Sequence, residues 1–550
     1  MPTRYTAEQI IQRTDRFSGN RATWESHWQD CADYVDPWAN EITKTLTAGQ
    51  YRTREIFATT AINDNETFMA GMSSYMIPNK LWFGLMPKNK ILAEDDDVKR
   101  WFMDVTQTTY EALINSNFMK KANEVFRSLG WCGTALMFAE EGANSPVTFS
   151  TYHIKRFFID EGVDGEIDTF TVVAEYTARQ AAQRWPAEKL STVLQAALKD
   201  PKKMDDKFEF IHTVYPRTDF DPRKRNRDNL PWESVWVDKK AKHIVETGGF
   251  HEQPYFCPRY AVATNESYGR SPAMMVLTNI KVENKVEKVA LVAADKLVDP
   301  TILIPNDGSI HPHKTAPGSF MYYNPKHGAD GIPRPLQTGG NLPVGFETIE
   351  RQKQMIHAAF HTDLWALLSQ RTDQKTAFET AELIDEKITL LGPILAPLES
   401  DFLSKTIVRV VGLMHRAGRY PPMPEALMED PEFEIEYSNR ITLAVKAQKS
   451  RAASAVLERV VPLAQLDPGV LDNFDLDAYA REAAENEGTS TEFLRSKADR
   501  DEMRAMRAEQ QQAQQQMEIA QQMAQMAQTV PSLQKPTEAG SPLEQLQEVI

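Results

Sequence analysis

PAMMVLTNIKVENKVEKVALVAADKLV, residues Pro272–Val298, is the stretch whose reading decides the fold. It reads as one long helix. Val282, Val286, Val289, Ala293 and Leu297 recur at helical spacing and make an apolar stripe, with Lys281, Glu283, Lys285, Glu287 and Lys288 interspersed. At 1.5 Å per residue such a helix is about 40 Å long.

Downstream, Pro300 to Pro343 holds eight prolines and six glycines in 44 residues. That density excludes helix and favours turns with short strands. A second helix is expected from Gly345 to about Leu368, followed by the polar stretch Ser369 to Lys375. Thr376 and Glu379 then form a capping box. Ile384, Ile388, Leu391, Leu395, Leu398 and Phe402 step by four and three, so a third helix follows. Gly392-Pro393 and Pro397 lie inside it, and proline removes an intrahelical bond, so a kink is expected there. Glu432 to Tyr437 reads as a short strand, and Leu443 to about Lys497 as further helices. Ten glutamines fall within Gln510 to Gln528, where Met506, Ala513, Met517, Ala520, Ala524 and Ala527 keep a heptad-like step. That segment fits a helix assembling with other copies, and equally a disordered one. From Pro531 a flexible tail is expected.

Upstream, the first ~140 residues read as helices. Thr6 and Gln9 make a capping box; Trp24, Trp28, Cys31 and Val35 recur at helical spacing until Pro37. Phe57, Ala61, Phe68, Met72 and Tyr75 make a second stripe ending at Pro78. Phe102, Val105, Thr109, Leu113 and Ile114 make a third, after the acidic cluster Glu94 to Asp97, which suits a solvated first turn. Strands follow at Val147 to Ile159 and Asp168 to Tyr176, joined by the turn-forming Asp160 to Asp168. That turn lacks the acidic residues a calcium loop needs at its third and twelfth positions. Phe208, Phe210, His212 and Val214 alternate, as do Val235 and Val237, which predicts a hairpin whose loop carries Arg223, Lys224, Arg225 and Arg227. The whole is a mainly helical chain with smaller β parts, an α+β protein.

The chain carries 62 Lys+Arg against 77 Asp+Glu, a net charge of −15. That balance does not fit a sequence-specific DNA binder. It does not exclude DNA, because an acidic channel wall repels phosphates and can let DNA slide without sticking. Cys31, Cys132 and Cys257 are odd in number and far apart, so neither a disulfide framework nor a thiolate metal site is expected. The start MPTRYTAEQIIQR lacks a signal peptide's apolar run, and no run reaches membrane-spanning length, so a soluble intracellular product is expected. There is no P-loop, GxSxG or HExxH, so no enzyme and no cofactor is expected. His311, His313 and His327 lack a fourth zinc ligand at useful spacing. His357 and His361 stand four apart, a spacing that can chelate a metal but is more ordinarily a polar helix face.

Six stretches stand out: RATWESHWQDCADYVDP (Arg21 to Pro37), FMAGMSSYMIPNKLWFGLMP (Phe68 to Pro87), FFIDEGVDGEIDTF (Phe157 to Phe170), ESYGRSPAMMVLTNIKVENKV (Glu266 to Val286), TAFETAELIDEKITLLGPILAPLESDFL (Thr376 to Leu403) and EIEYSNRITLAVKAQ (Glu434 to Gln448). Together they resemble the portal, or head-to-tail connector, family of short-tailed, podovirus-type bacteriophages. The likeness rests on their order and spacing over roughly residues 10 to 450.

The resemblance implies a ring, usually dodecameric, at one capsid vertex of the virion, assembled in the host cytoplasm. Double-stranded DNA is packaged and ejected through it. It docks the terminase large subunit and later the tail adaptor or nozzle proteins, and it meets the major capsid and scaffolding proteins. The implied parts are a wing (1–265), a first stem helix (266–299), a clip (300–343), a second stem helix (344–368) and a channel loop (369–376). A kinked wing-to-crown helix (377–431), a crown (432–500), a Gln-rich helix or barrel (501–530) and a tail (531–550) complete it. Arg371 and Lys375 would contact DNA phosphates in the channel. His311, His313, Lys314, Lys326, His327 and Arg334 would lie on the clip surface that docks terminase and adaptor. The alternatives are another ring-forming head–tail adaptor or tail tube protein, and a nuclease, which would need a cluster of metal-binding carboxylates.

Overall fold

The helix expected at Pro272–Val298 is present with those bounds, interrupted only at Val276, whose φ of −116° and ψ of 17° are not helical. Its start follows from local chemistry. Ser271 Oγ accepts the Met274 N–H (3.1 Å) and donates to the Trp131 carbonyl (2.9 Å), and Pro272 has no N–H to leave unpaired. The computed structural model describes residues 4–47, 49–142, 145–221, 223–224, 226, 229–298, 302–303, 334–335, 342–369, 391–437 and 497–528, with isolated residues between 456 and 480. Two compact units emerge. The first is Met1–Leu92 with Lys99–Thr442, and the second is Ala93–Val98 with Leu443–Ile550.

Helices α1 (Ala7–Asn20), α2 (Ala22–Val35), α3 (Thr60–Met76), α4 (Asp96–Ile114) and α5 (Phe118–Cys132) build the first part of the chain. The capping box at α1 is formed: Gln9 N–H donates to Thr6 Oγ1 (3.3 Å) and the Thr6 N–H to Gln9 Oε1 (2.9 Å). Asp95 Oδ1 accepts the Asp97 and Val98 N–H groups, so the acidic cluster does cap α4. The expected stripes of α2, α3 and α4 are buried at Trp28, Cys31, Val35, Ala61, Phe68, Met72, Tyr75, Phe102, Val105, Thr109 and Leu113. Each such large apolar side chain contributes about 2 kcal/mol. Phe57 lies outside α3, and Ile114 is exposed. α5 ends at Gly133, whose φ of 75° turns the chain back while its N–H bonds the Leu129 and Ser128 carbonyls.

Eight strands follow: β2 (Leu136–Glu141), β3 (Val147–Tyr152), β4 (Phe157–Glu161), β5 (Ile167–Thr177), β6 (Lys207–Pro216), β7 (Trp232–Asp238), β8 (His243–Phe250) and β9 (Tyr255–Phe256). They form a five-stranded antiparallel sheet in the order β4-β5-β6-β7-β8 and a three-stranded one in the order β3-β2-β9. The predicted hairpin is β6–β7, with Val214 opposite Ser234 and His212 opposite Trp236. Period-two alternation sends β6 and β7 side chains to two faces. Phe210 and Trp236 pack under α6 (Ala178–Arg184) and α7 (Thr192–Lys199) with Trp185 and Leu194. Ile211, Val235 and Val237 pack under Ile10 of α1. His212 is fully enclosed, stacked on Trp236 and bonded to Tyr255 Oη (2.6 Å) and Ser234 Oγ (2.9 Å). Burial holds its pKa well below the ordinary value, so it is a neutral core residue.

α8 (Pro272–Val298) runs beside α9 (Leu342–Phe360) and is packed against α2 and α5. Between them β10 (Ile302–Leu303) pairs antiparallel with β11 (Arg334–Pro335), a short strand pair of the kind expected in the Pro/Gly-rich insert. The second helix does not run unbroken from Gly345. It begins at Leu342 and stops at Phe360, and α10 (Thr362–Ser369) restarts after His361, whose φ is +54°. That left-handed residue breaks the ladder, so His357 and His361 do not share one helical face.

The apolar stripe of α8 is also corrected. Ile280, Glu283 and Asn284 are its buried residues in this stretch, and Val282, Val289 and Leu297 are exposed. Polar residues take the inner face because the neighbouring chain offers them hydrogen-bond partners there.

Past the undescribed residues, 391–398 are helical. Glu399–Ser404 is a π-helical turn immediately after Pro397, and α11 (Lys405–Arg416) continues. The strand expected near Glu432 is β12 (Phe433–Tyr437). It pairs antiparallel with β1 (Phe83–Pro87), Leu85 standing opposite Ile435. In the second unit α12 (Lys497–Gln528) is helical over the Gln-rich segment. The expected capping box at Thr376 and most of the crown lie outside the described residues.

Candidate functional site

The α8–α9 pair leads at one end into the insert and, through α10, into the residues from 370 onward. Three polar contacts set its place. Asn284 Oδ1 accepts the Phe57 and Ala58 N–H groups (2.6 and 3.1 Å), and its Nδ2 donates to the Glu55 carbonyl (2.9 Å). Thr60 Oγ1 donates to Glu283 Oε1 (2.6 Å). His357 Nδ1 lies 2.7 and 2.9 Å from the two Asp64 oxygens. An exposed ion pair, Lys281 to Asp30 (2.7 Å), ties α8 to α2 as well.

The two carboxyls here are unusual. Burial pushes the pKa of Glu283 up, against the opposing pull of Thr60 and Lys353. Burial likewise raises that of Asp64, against His357. Glu283 Oε2 has no hydrogen-bond partner among the described residues. A buried polar set of this kind specifies one orientation, since a shifted helix would leave these groups unpaired.

α10 is seated by Trp365, which is buried, donates from Nε1 to the Phe360 carbonyl (3.2 Å) and packs edge-on to Phe68. Gly71 on α3 makes the room: a Cβ there would overlap the indole ring. α10 is thereby held against α3 up to its end at Ser369.

Of the residues singled out in the sequence, His311, His313, Lys314, Lys326, His327, Arg371 and Lys375 lie outside the described residues. Arg334 sits in β11 opposite Leu303. Arg223 and Lys224 are exposed, Lys224 facing Asp221 at 3.7 Å, while Arg225 and Arg227 are outside the described residues. Sequence reasoning missed Asn284, Glu283, Asp64 and Trp365. Only the pairing of distant segments distinguishes them from ordinary surface residues. Among the described residues no three His, Cys, Asp or Glu side chains stand together as a metal site. The three cysteines are buried and unbridged.

A family model described as "Bacteriophage head to tail connecting protein" matches residues 7–494. The chain belongs to that family. Connecting phage head to phage tail is therefore its function. The "Probable portal protein" of Bordetella phage BPP-1 is 27% identical over 490 residues, 88% of each chain. The "Portal protein" of Salmonella phage epsilon15 is 26% identical over 512 residues, 92% of this chain and 91% of that one. A solved "Neck of empty GTA particle computed with C6 symmetry" covers 71% of this connector and 85% of its own chain at 11% identity, with a TM-score of 0.32. That score is too low to bear on the fold.

Proposed function

We propose that this connector is the portal subunit, forming a ring at one capsid vertex through which double-stranded DNA enters and leaves. The observation that carries the reading is the family match across residues 7–494. The arrangement of the matched region agrees with it: two helices, α8 and α9, flank one Pro/Gly-rich insert. In this reading α8 and α9 are the stem, the insert is the clip that docks the terminase large subunit and then the tail adaptor or nozzle, and residues 369–376 are the channel loop. The outer parts meet the major capsid and scaffolding proteins, and the ring belongs to the virion. Among the described residues no helix is long and apolar enough to cross a membrane.

Portal action needs no bond chemistry from this chain. It needs a passage that holds DNA without reading it. Arg371 and Lys375 suit that, since phosphate contacts are independent of sequence. His311, His313, Lys314, Lys326, His327 and Arg334 give the clip a mildly basic surface suited to an acidic partner.

Negative-stain microscopy of the purified protein tests the reading. Rings with a central hole are expected, twelve subunits being the expected number, and a compact monomer at all concentrations would overturn it. Replacing Arg371 and Lys375 by alanine is expected to lower packaged DNA per head; unchanged packaging and retention would remove them from the channel. Reversing Lys326 and Arg334 to Glu is expected to weaken terminase or adaptor capture in a pull-down. A head–tail adaptor or tail tube subunit is the second reading. The near full-length match to chains named portal proteins favours the first.

A further inference from the structure

α3, α8 and α9 meet around two buried carboxyls. Glu283 of α8 is 0% exposed and Asp64 of α3 is 2% exposed. Their surroundings differ. Asp64 has His357 Nδ1 of α9 at 2.7 Å. Among the described residues no lysine, arginine or histidine nitrogen lies within 4.0 Å of Glu283.

The neighbouring cations are engaged elsewhere. Lys281, on the same helix, pairs with Asp30 of α2 (2.7 Å), and Arg127 of α5 pairs with Glu66 of α3 (2.8 Å). Lys353 of α9 is half-buried and favours a charged Glu283 only through its field. Glu287 of α8 and Asp64 of α3 oppose that charge with their own. Asp363 of α10 adds a further negative charge near Asp64.

The hydrogen bonds show where a proton fits. Thr60 Oγ1 donates to Glu283 Oε1 (2.6 Å), so Oε1 is an acceptor, and Oε2 has no partner among the described residues. A carboxylate there would hold its charge on an oxygen sealed from solvent and from every donor. Groups so placed take up a proton, because an unpaired neutral hydroxyl costs far less than an unpaired charge. Burial pushes the pKa of Glu283 up, the direction this arrangement requires.

We propose that Glu283 is a proton lock: protonated on Oε2 it seats α8, and α9 with it, on α3, and the seat loosens as pH rises and the proton leaves to water. The folded state holds this proton more tightly than the unfolded chain, whose glutamate titrates near 4.5. The stability of the seat is therefore full below that value and falls as pH rises above it. Ionisation also sets a second negative charge near Asp64, and the two repel across the joint between α3 and the α8–α9 pair. The lock stands on the geometry of a single subunit and is independent of ring formation.

Hydrogen exchange on the full-length protein tests it. Protection of α9 (Leu342–Phe360) is compared between about pH 5 and about pH 9, corrected for the intrinsic exchange rate, with α6 and α7 as internal reference. In the wild type it is expected to fall about tenfold or more relative to the reference. Glu283→Gln cannot ionise and should abolish the fall. Lys353→Met removes the cation that favours the charged form and should move the midpoint up by about half a pH unit or more. Glu287→Gln removes a like charge and should move it down. Lys353 and Glu287 are only half-buried, so these two variants keep the test in force if Glu283→Gln fails to fold. A protection ratio in the wild type that does not change with pH would overturn the lock. So would an undiminished fall in Glu283→Gln, or a midpoint that stays put in Lys353→Met or Glu287→Gln.

Discussion

Asp64 on α3 and His357 on α9 stand 293 residues apart in the chain and are joined by a hydrogen bond of 2.7 Å. Asp64 is buried, so the bond fixes α9 against the helical core from inside. Asp64→Ala leaves the His357 N–H without its acceptor and is expected to cost about 2 kcal/mol. Asp64→Asn keeps an acceptor of the same shape and is expected to cost less than about 1 kcal/mol. Denaturant midpoints measure both, and equal losses would show that the bond does not hold α9.

Gly71 and Trp365 are matched in shape. Gly71→Ala drives a methyl into a buried indole that cannot swing aside, at an expected cost of about 1–3 kcal/mol. Trp365→Phe in the same chain should return part of that loss. The double-mutant cycle then gives a coupling above about 0.5 kcal/mol. Additive losses would mean the two residues do not meet.

Glu252 bridges two arginines of α11, at 2.8 Å from Arg409 Nη1 and 2.6 Å from Arg416 Nη1. Arg409 is buried and Arg416 half-buried. Glu252→Ala strands the buried guanidinium and is expected to cost about 3–5 kcal/mol. Arg416→Ala should cost about 1 kcal/mol or less, because Glu252 keeps Arg409. Gly412→Ala is expected to destabilise too, since a Cβ there would overlap the Glu252 carboxylate. Thermal melts rank the three, and a reversed order for the first two would refute the bridge.

Asp36, buried at the end of α2, has its pKa raised to about 6, chiefly by burial, with Arg127 and nearby backbone N–H groups opposing. The folded state therefore holds this proton more tightly than the unfolded state, whose value is 3.8. Stability from this group is greatest below about 4 and falls as pH rises to about 6, by at most about 3 kcal/mol. Asp36→Asn cannot ionise. Relative to wild type it should gain stability at pH 8 and none at pH 4, measured by melting both across that range. A constant difference at every pH would show that Asp36 does not titrate between the two values.

Much of the fold was legible from local chemistry. The bounds of α8, the capping box at Thr6, the cap at Asp95 and the β6–β7 hairpin each depend on residues a few positions apart. Most of the Pro/Gly insert lies outside the described residues, and within it the β10–β11 pair matches the short strands expected there. The Gln-rich segment was undecided between helix and disorder on composition, and it is helical in α12. The candidate site was legible only in part. Its loops were placed by family likeness, and the polar contacts that hold the hairpin join segments up to 293 residues apart.

What the sequence by itself determined is where helices and turns begin and end, because caps, prolines and side-chain periodicity act within a turn or two. Tertiary structure alone decided which face of α8 is inside. Periodicity marks an apolar stripe but cannot say what covers it. The backbone at Glu55 to Ala58 claims Asn284 and Thr60 claims Glu283, so the polar side turns inward. Val282 and Val289 are left outward.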